Sequence, residues 1–149
     1  TKAERVALFW PLRAEVDTRP WIDSLCERGV EVALPCTSKG DPVVRFRRFE
    51  GRDALVDGPF GVRQPSEASP EFAVATIDLV IVPALAIDSQ GYRVGYGGGF
   101  YDRILGQVPV HARCVVGYGF QRIAEVPRQA HDLPCGHIVT DAGLETVEP

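Results

Sequence analysis

The 149-residue chain has few of the features that mark a specialised environment or a covalent mechanism. Its four cysteines, Cys26, Cys36, Cys114 and Cys135, form no close pair and no metal-type spacing, which argues against a disulfide scaffold and a zinc module. No apolar stretch reaches the length of a membrane helix, and no signal-peptide pattern opens the chain. The expectation is a cytoplasmic protein with no membrane partner and with reduced thiols. Positive charge is not in excess: the net charge is −4 and the pI about 5.4, against the basic surface a nucleic-acid partner requires. Arg45, Arg47 and Arg48 do crowd together, but on a strand Arg45 and Arg47 share one face, and an ordinary solvated edge is expected. Ser24, Ser66, Ser69 and Ser89 lack the setting of an activated nucleophile. His131 and His137 are six apart and His111 is remote, so no metal-binding helix pattern arises. Covalent catalysis is therefore not expected, and no catalytic residue is assigned.

What remains is ordinary globular material, 45% hydrophobic and 24% charged, expected to form one domain over residues 1–149 with a sizeable core. Val6 to Leu12 reads as a buried strand. Thr18 reads as the cap of a helix with Trp21, Ile22 and Leu25 on one face and Gly29 at its end. Val30 to Leu34 reads as the next strand, which completes a β-α-β unit. An edge strand is expected at Pro42 to Phe49, an ordered loop at Gly58 to Pro70 and a short helix at Glu71 to Ala75. Leu79 to Ala86 is the expected central strand, followed by a helix near Tyr101 to Leu105 and strands at Ala112 to Gly117 and Ile138 to Val139. Cys26, Cys36 and Cys114 fall in apolar elements and read as buried thiols. Alternating strands and helices predict an α/β protein with an open, mainly parallel sheet in three α/β/α layers.

Between the central strand and the next helix lies Gly91-Tyr92-Arg93-Val94-Gly95-Tyr96-Gly97-Gly98-Gly99-Phe100-Tyr101-Asp102-Arg103. Three consecutive glycines permit positive φ and close backbone approach to a ligand, and peptide N–H groups at a helix start suit a phosphate. Arg93 and Arg103 offer permanent charge, and Asp102 offers a carboxylate to a cation bridging phosphate oxygens. The loop departs from the standard templates: Phe100 and Tyr101 stand where a Walker loop needs Lys and Ser or Thr. The plain alternative is a glycine-rich turn that only reverses the chain.

Taken together, Tyr92 to Arg103 resemble the signature of 5-formyltetrahydrofolate cyclo-ligases (methenyltetrahydrofolate synthetases). The likeness extends to Phe9 to Thr18, to Asp78 through Asp88, and to Pro127 through Asp132 and on to Ile138 to Asp141. The resemblance implies a fold like that of the NagB, RpiA and CoA-transferase group, and ATP-dependent closure of 5-formyltetrahydrofolate to 5,10-methenyltetrahydrofolate, with ATP and Mg²⁺ required. By residue it implies nucleotide contacts from Arg93, Val94, Gly95, Tyr96, Gly97, Gly98, Gly99, Phe100, Tyr101 and Arg103. Reduced-folate contacts are implied for Trp10, Glu15, Tyr96 and Phe100, and Mg²⁺ ligation for Asp102 and Asp132. His131 is expected at the nucleotide mouth, and His111 and His137 at the surface.

Each role has a plainer counterpart. Trp10 alone reads as core, Glu15 as a solvated loop carboxylate, Asp102 as a helix-start carboxylate favoured by the dipole, and Asp132 as a turn residue before Pro134. The family also begins with helices whose Lys and Arg reach ATP, whereas this chain starts almost at its first strand, and the fold is expected without them. A further family Asp is replaced near Gly136. A non-catalytic nucleotide- or folate-binding relative is the alternative function.

Overall fold

A computed structural model describes residues 2–95 and 99–148, and the chain falls into two compact units, Thr1–Leu79 and Val80–Pro149. Among the described residues, no helix is long and apolar enough to cross a membrane.

The first unit starts with the expected β-α-β element. Strand β1 (Arg5–Ala7) runs parallel to β2 (Glu31–Ser38), with Val6 opposite Val32 and Ala7 opposite Ala33, joined by α1 (Arg19–Glu27). Leu8 adds one more bond, its N–H donating to the Ala33 carbonyl at 3.0 Å. The strand is shorter than its apolar run: pairing ends at Leu8, and Pro11, further along, has no N–H with which to extend it. Leu8, Ile22, Val32, Leu34 and Phe46 lose essentially all solvent contact, each such burial contributing about 1.5–3 kcal/mol.

Helix α1 corrects three expectations. Thr18 occupies the cap position without capping: it is fully buried and its hydroxyl donates to the Phe9 carbonyl at 2.6 Å. Asp17 takes over, its Oδ1 accepting the Arg19 N–H at 3.1 Å, while Pro20 in the first turn needs no partner. Only Ile22 is buried on this helix. Trp21 keeps 37% of its surface in solvent, and Cys26 is exposed rather than internal. Gly29 ends the helix at φ +77°, as expected.

Strand β3 (Asp41–Arg48) pairs antiparallel with β2 and is not an edge. After the hairpin of β4 (Leu55–Asp57) and β5 (Arg63–Pro65), residues expected to be helical form β6 (Glu71–Phe72), which lies against β3 with Phe46 opposite Phe72. Pairing with a neighbouring strand outweighs the weak helical preference of so short a segment, and only Val74–Thr76 forms a single 3-10 turn. The crowded arginines are partnered rather than free. Arg45 meets Glu71 at 3.1 Å, Arg48 meets Glu31 at 3.0 Å, and Arg47 donates to the carbonyls of Glu67 and Ser69.

In the second unit the apolar run expected to form the central strand is cut by Pro83. Strand β7 (Leu79–Val82) stops there, and the chain then folds into a small hairpin, β8 (Ala86–Ile87) and β9 (Arg93–Val94). The helix α2 (Phe100–Leu105) follows. Strand β10 (Arg113–Val116) runs parallel to β7 and to β11 (His137–Thr140), and β12 (Gly143–Thr146) closes antiparallel on β11. Val80, Val82, Leu105, Val115 and Ile138 form the buried centre. The α/β class is as expected, with β1–β2, β7–β10 and β10–β11 parallel and β2–β3, β3–β6 and β11–β12 antiparallel.

All four cysteines are free thiols. Burial pushes Cys36 and Cys114 up to about 11 and Cys135 up to about 12, which leaves them protonated and inert at neutral pH.

A test of the first unit lies in Asp78, whose Oδ2 accepts the N–H groups of Glu4 at 2.8 Å and Arg5 at 3.0 Å. Those two donors hold its pKa below the ordinary value. Because the folded value is the lower one, the stabilisation is present above the unfolded value of about 3.9 and disappears as pH falls through the folded value. Urea unfolding across pH 7 to 2 should show wild type ahead of Asp78→Asn at neutral pH, with the gap closing below about pH 4. A gap independent of pH contradicts the assignment.

Candidate active site

The second unit builds a cavity of about 850 Å³ at the strand-to-helix connection, within the range of small-molecule sites. Its construction begins with the turn Asp88-Ser89-Gln90-Gly91. The Asp88 Oδ1 accepts the N–H groups of Gln90 at 2.9 Å and Tyr92 at 3.1 Å, a self-bonded aspartate turn. Gly91 sits at φ +84°, where a Cβ would lie 2.1 Å from the Cys135 carbonyl oxygen. Only glycine fits there. The Cys135 N–H in turn donates to the Gly91 carbonyl at 2.9 Å.

Strand β9 then delivers Arg93, Val94 and Gly95 to the cavity wall. The Arg93 side chain is only 6% exposed. Its Nη1 donates to the carbonyl of Pro83 at 3.3 Å, its Nη2 lies 4.0 Å from the Asp102 Oδ1, and the Tyr101 ring centre is 5.4 Å from the guanidinium carbon. A Cβ on Gly95 would fall 2.7 Å from Nη1, so this glycine permits close approach of the guanidinium. Tyr96, Gly97 and Gly98 lie outside the described residues. Gly99 is left-handed at φ +63° and begins α2, placing Phe100, Tyr101, Asp102 and Arg103 along the cavity.

The opposite wall comes from the closing segment, through Pro127, Gln129, His131 and Asp132. Asp132 is oriented locally: its Oδ2 accepts the Gln129 N–H at 2.7 Å, and its Oδ1 lies 3.5 Å from the Nε2 of His131. Asp102 and Asp132, thirty positions apart in sequence, therefore line one space. Sequence reasoning missed Gln129 and the two residues that hold the connection in shape, Asp88 and Gln121. Gln121 Nε2 donates to the Ala84 carbonyl at 2.8 Å, and its Oε1 accepts the Tyr118 N–H at 2.7 Å. For Asp88 the signal was present, as an Asp three residues ahead of a Gly.

Trp10 and Glu15 belong to the first unit. Trp10 is half-buried, stacked on Phe49 with ring centres 6.1 Å apart and with the guanidinium carbon of Arg52 5.7 Å from its ring centre. Glu15 is also half-buried, and its Oε1 accepts the Leu12 N–H at 2.7 Å across a turn with Arg13 at φ +52°.

Among the described residues no group of three or more His, Cys, Asp or Glu surrounds a metal position. Mg²⁺ commonly takes only one or two carboxylates and completes its octahedron with phosphate oxygens and water. Asp102 and Asp132 fit that role, not that of a preformed all-protein cage.

Fold and cavity together define an α/β protein whose strand-to-helix loop opens on a cleft bearing two carboxylates and two arginines. Sequence comparison makes this specific. The chain belongs to the 5-formyltetrahydrofolate cyclo-ligase family, a family of ligases, which it matches over residues 1–141. It is 31% identical to the 5-formyltetrahydrofolate cyclo-ligase of Mycolicibacterium smegmatis, over 91% of this chain and 72% of that protein. It is equally 31% identical to the enzyme of that name from Escherichia coli K12, over 93% and 78%. The solution structure of Aquifex aeolicus 5,10-methenyltetrahydrofolate synthetase superposes with a TM-score of 0.83 at 30% identity, covering 99% of this chain and 73% of that one.

The seating of Gly91 supplies a test. Gly91→Ala combines a positive φ with a backbone collision and should cost roughly 2 kcal/mol or more in urea unfolding. Gly29→Ala, at φ +77° with open space around it, carries only the conformational penalty and should cost about 1 kcal/mol. Equal losses contradict the packing of Gly91 against Cys135.

Proposed function

We propose that the protein closes 5-formyltetrahydrofolate to 5,10-methenyltetrahydrofolate with consumption of ATP and release of ADP and phosphate, residues 1–149 acting as one cyclo-ligase-like domain. The observation that carries this reading is the convergence of Asp102, Asp132, Gly95, Gly99 and Arg103 on one cavity. Two carboxylates and an arginine lining one cavity beside a helix start suit a cation and the phosphate oxygens it would bind.

The reaction transfers the terminal phosphoryl group of ATP to the formyl oxygen. Attack of the neighbouring folate nitrogen on the activated carbon then expels phosphate. Such transfers depend mainly on positioning and charge stabilisation. The peptide N–H groups of the glycine loop, with Tyr96, Gly97 and Gly98 assigned by family resemblance, hold the phosphates together with Arg103. Val94, Phe100 and Tyr101 form the border of the nucleotide site, and Tyr96 and Phe100 reach the folate as well. Mg²⁺, held by Asp102 and Asp132, supplies charge neutralisation on the phosphate oxygens. Arg93, which also lines the cavity, is assigned to the nucleotide, and its place between the Pro83 carbonyl and Asp102 suits it to orient that carboxylate as well. Trp10 and Glu15 are assigned to the reduced folate by family resemblance, Trp10 through its apolar face and Glu15 through a carboxylate of the kind that accepts ring N–H groups. The proposed setting is the cytoplasm, with a reduced folate and ATP as the small-molecule partners and no nucleic-acid or membrane partner.

The test is optical, because the methenyl product absorbs at longer wavelength than the formyl substrate. Protein, Mg-ATP and 5-formyltetrahydrofolate together should give a rise in absorbance that omission of ATP or Mg²⁺ removes. Asp102→Asn should lower the rate by about a hundredfold or more while circular dichroism stays unchanged. Binding of ATP or folate with no absorbance change identifies a non-catalytic relative. Full activity in Asp102→Asn refutes its metal role.

A further inference from the structure

We infer that Asp88 is a positioning residue for nucleotide use, one that touches no ligand and sets the distance between the two walls of the cavity. The inference rests on the cyclo-ligase reading above. Asp88 is only 1% exposed and is not part of the cavity lining. Its Oδ1 accepts the N–H groups of Gln90 and Tyr92, and its Oδ2 accepts the N–H of Val126 at 3.0 Å, thirty-eight residues away. Its own backbone N–H donates to the Tyr92 carbonyl at 3.0 Å. One buried carboxylate thus joins the hairpin that feeds the glycine loop to the start of the closing segment.

The far end of that segment is tied to the same hairpin through the Cys135 N–H and the Gly91 carbonyl. Gln129, His131 and Asp132 lie between these two anchors, while Arg93, Val94 and Gly95 leave the hairpin directly towards the opposite wall. The separation of Asp102 from Asp132 is therefore set through Asp88. A carboxylate is needed at this point because three N–H donors converge from two directions. An amide has one oxygen, and its NH₂ would face either the Val126 N–H or the pair from Gln90 and Tyr92, leaving buried donors unpaired.

The experiment compares wild type with Asp88→Asn in steady-state kinetics and in amide hydrogen exchange. The expected result is a rise of about tenfold in KM for Mg-ATP, the consequence of one unpaired buried donor loosening the wall, with KM for the folate changed less than about twofold. The amides of residues 128–132 should exchange faster in the variant while those of β7 and β10 keep their protection. A variant that loses stability but keeps both the wild-type KM for Mg-ATP and the wild-type exchange of 128–132 makes Asp88 a purely structural residue and overturns the inference. If Asp88→Asn does not fold, Arg128→Ala probes the same join from the surface. Arg128 donates to the Gln90 Oε1 at 2.6 Å, and its guanidinium carbon lies 3.9 Å from the Tyr92 ring centre. Its loss should raise KM for Mg-ATP about threefold, and an unchanged KM overturns the proposal. Absence of turnover in wild type refutes the cyclo-ligase reading by itself. In that event the exchange of 128–132, which needs no activity, decides the role of Asp88.

Discussion

Buried peptide groups must find partners, and that requirement governs how this chain passes from β7 to α2. Pro83 ends the strand without an N–H, and several backbone groups released there are taken up by specific residues. The Pro83 carbonyl goes to Arg93, the carbonyls of Ala84 and Leu85 to Gln121, and the Ile87 carbonyl to the Ile123 N–H. Leu85 and Val94 bond across the hairpin. These partners turn a break in the sheet into a rigid connection that ends in glycines at the cavity wall. Several of the same residues serve both the break and the site, so the architecture of the site is a by-product of satisfying the connection.

Charge is arranged on the same frame. Arg93 is held by a carbonyl and faces Asp102 at a distance that leaves the carboxylate only loosely paired. Asp132 is oriented by a peptide N–H from its own turn, which leaves acceptor capacity towards the cavity. The Arg93 guanidinium beside Asp102 offsets part of the negative charge that the two carboxylates bring to the cavity. The chain carries a net −4, while Arg93 and Arg103 bring permanent positive charge to the cavity lining, a local sign opposite to the overall one.

Much of this was legible in the sequence. The β-α-β start, Gly29 as a helix terminator, α2 and β10 follow from apolar runs and glycine placement. The glycine-rich stretch with Asp102, and the distant His131-Asp132, pointed to one site through family likeness, and both segments do line one cavity. Other features depended on tertiary context that no local pattern encodes. Thr18 turns from capping to bond Phe9 because burial leaves its hydroxyl no water. Glu71 and Phe72 become a strand because β3 offers an open edge. Cys26 and Trp21 face solvent because α1 buries a narrower stripe than its composition suggested. The hairpin between β7 and the glycine loop was hidden by reading through Pro83, although the proline itself marked the break.

The central claim is that the cavity bounded by Gly95, Gly99, Asp102 and Asp132 receives a Mg-nucleotide. Its most direct test is an amide NMR titration of the protein with Mg-ADP, which requires no turnover. The account predicts saturable shifts at Val94, Gly95, Gly99 to Arg103 and Gln129 to Asp132, weakened when Mg²⁺ is withheld. Shifts confined to other parts of the chain, or none at millimolar nucleotide, would contradict it.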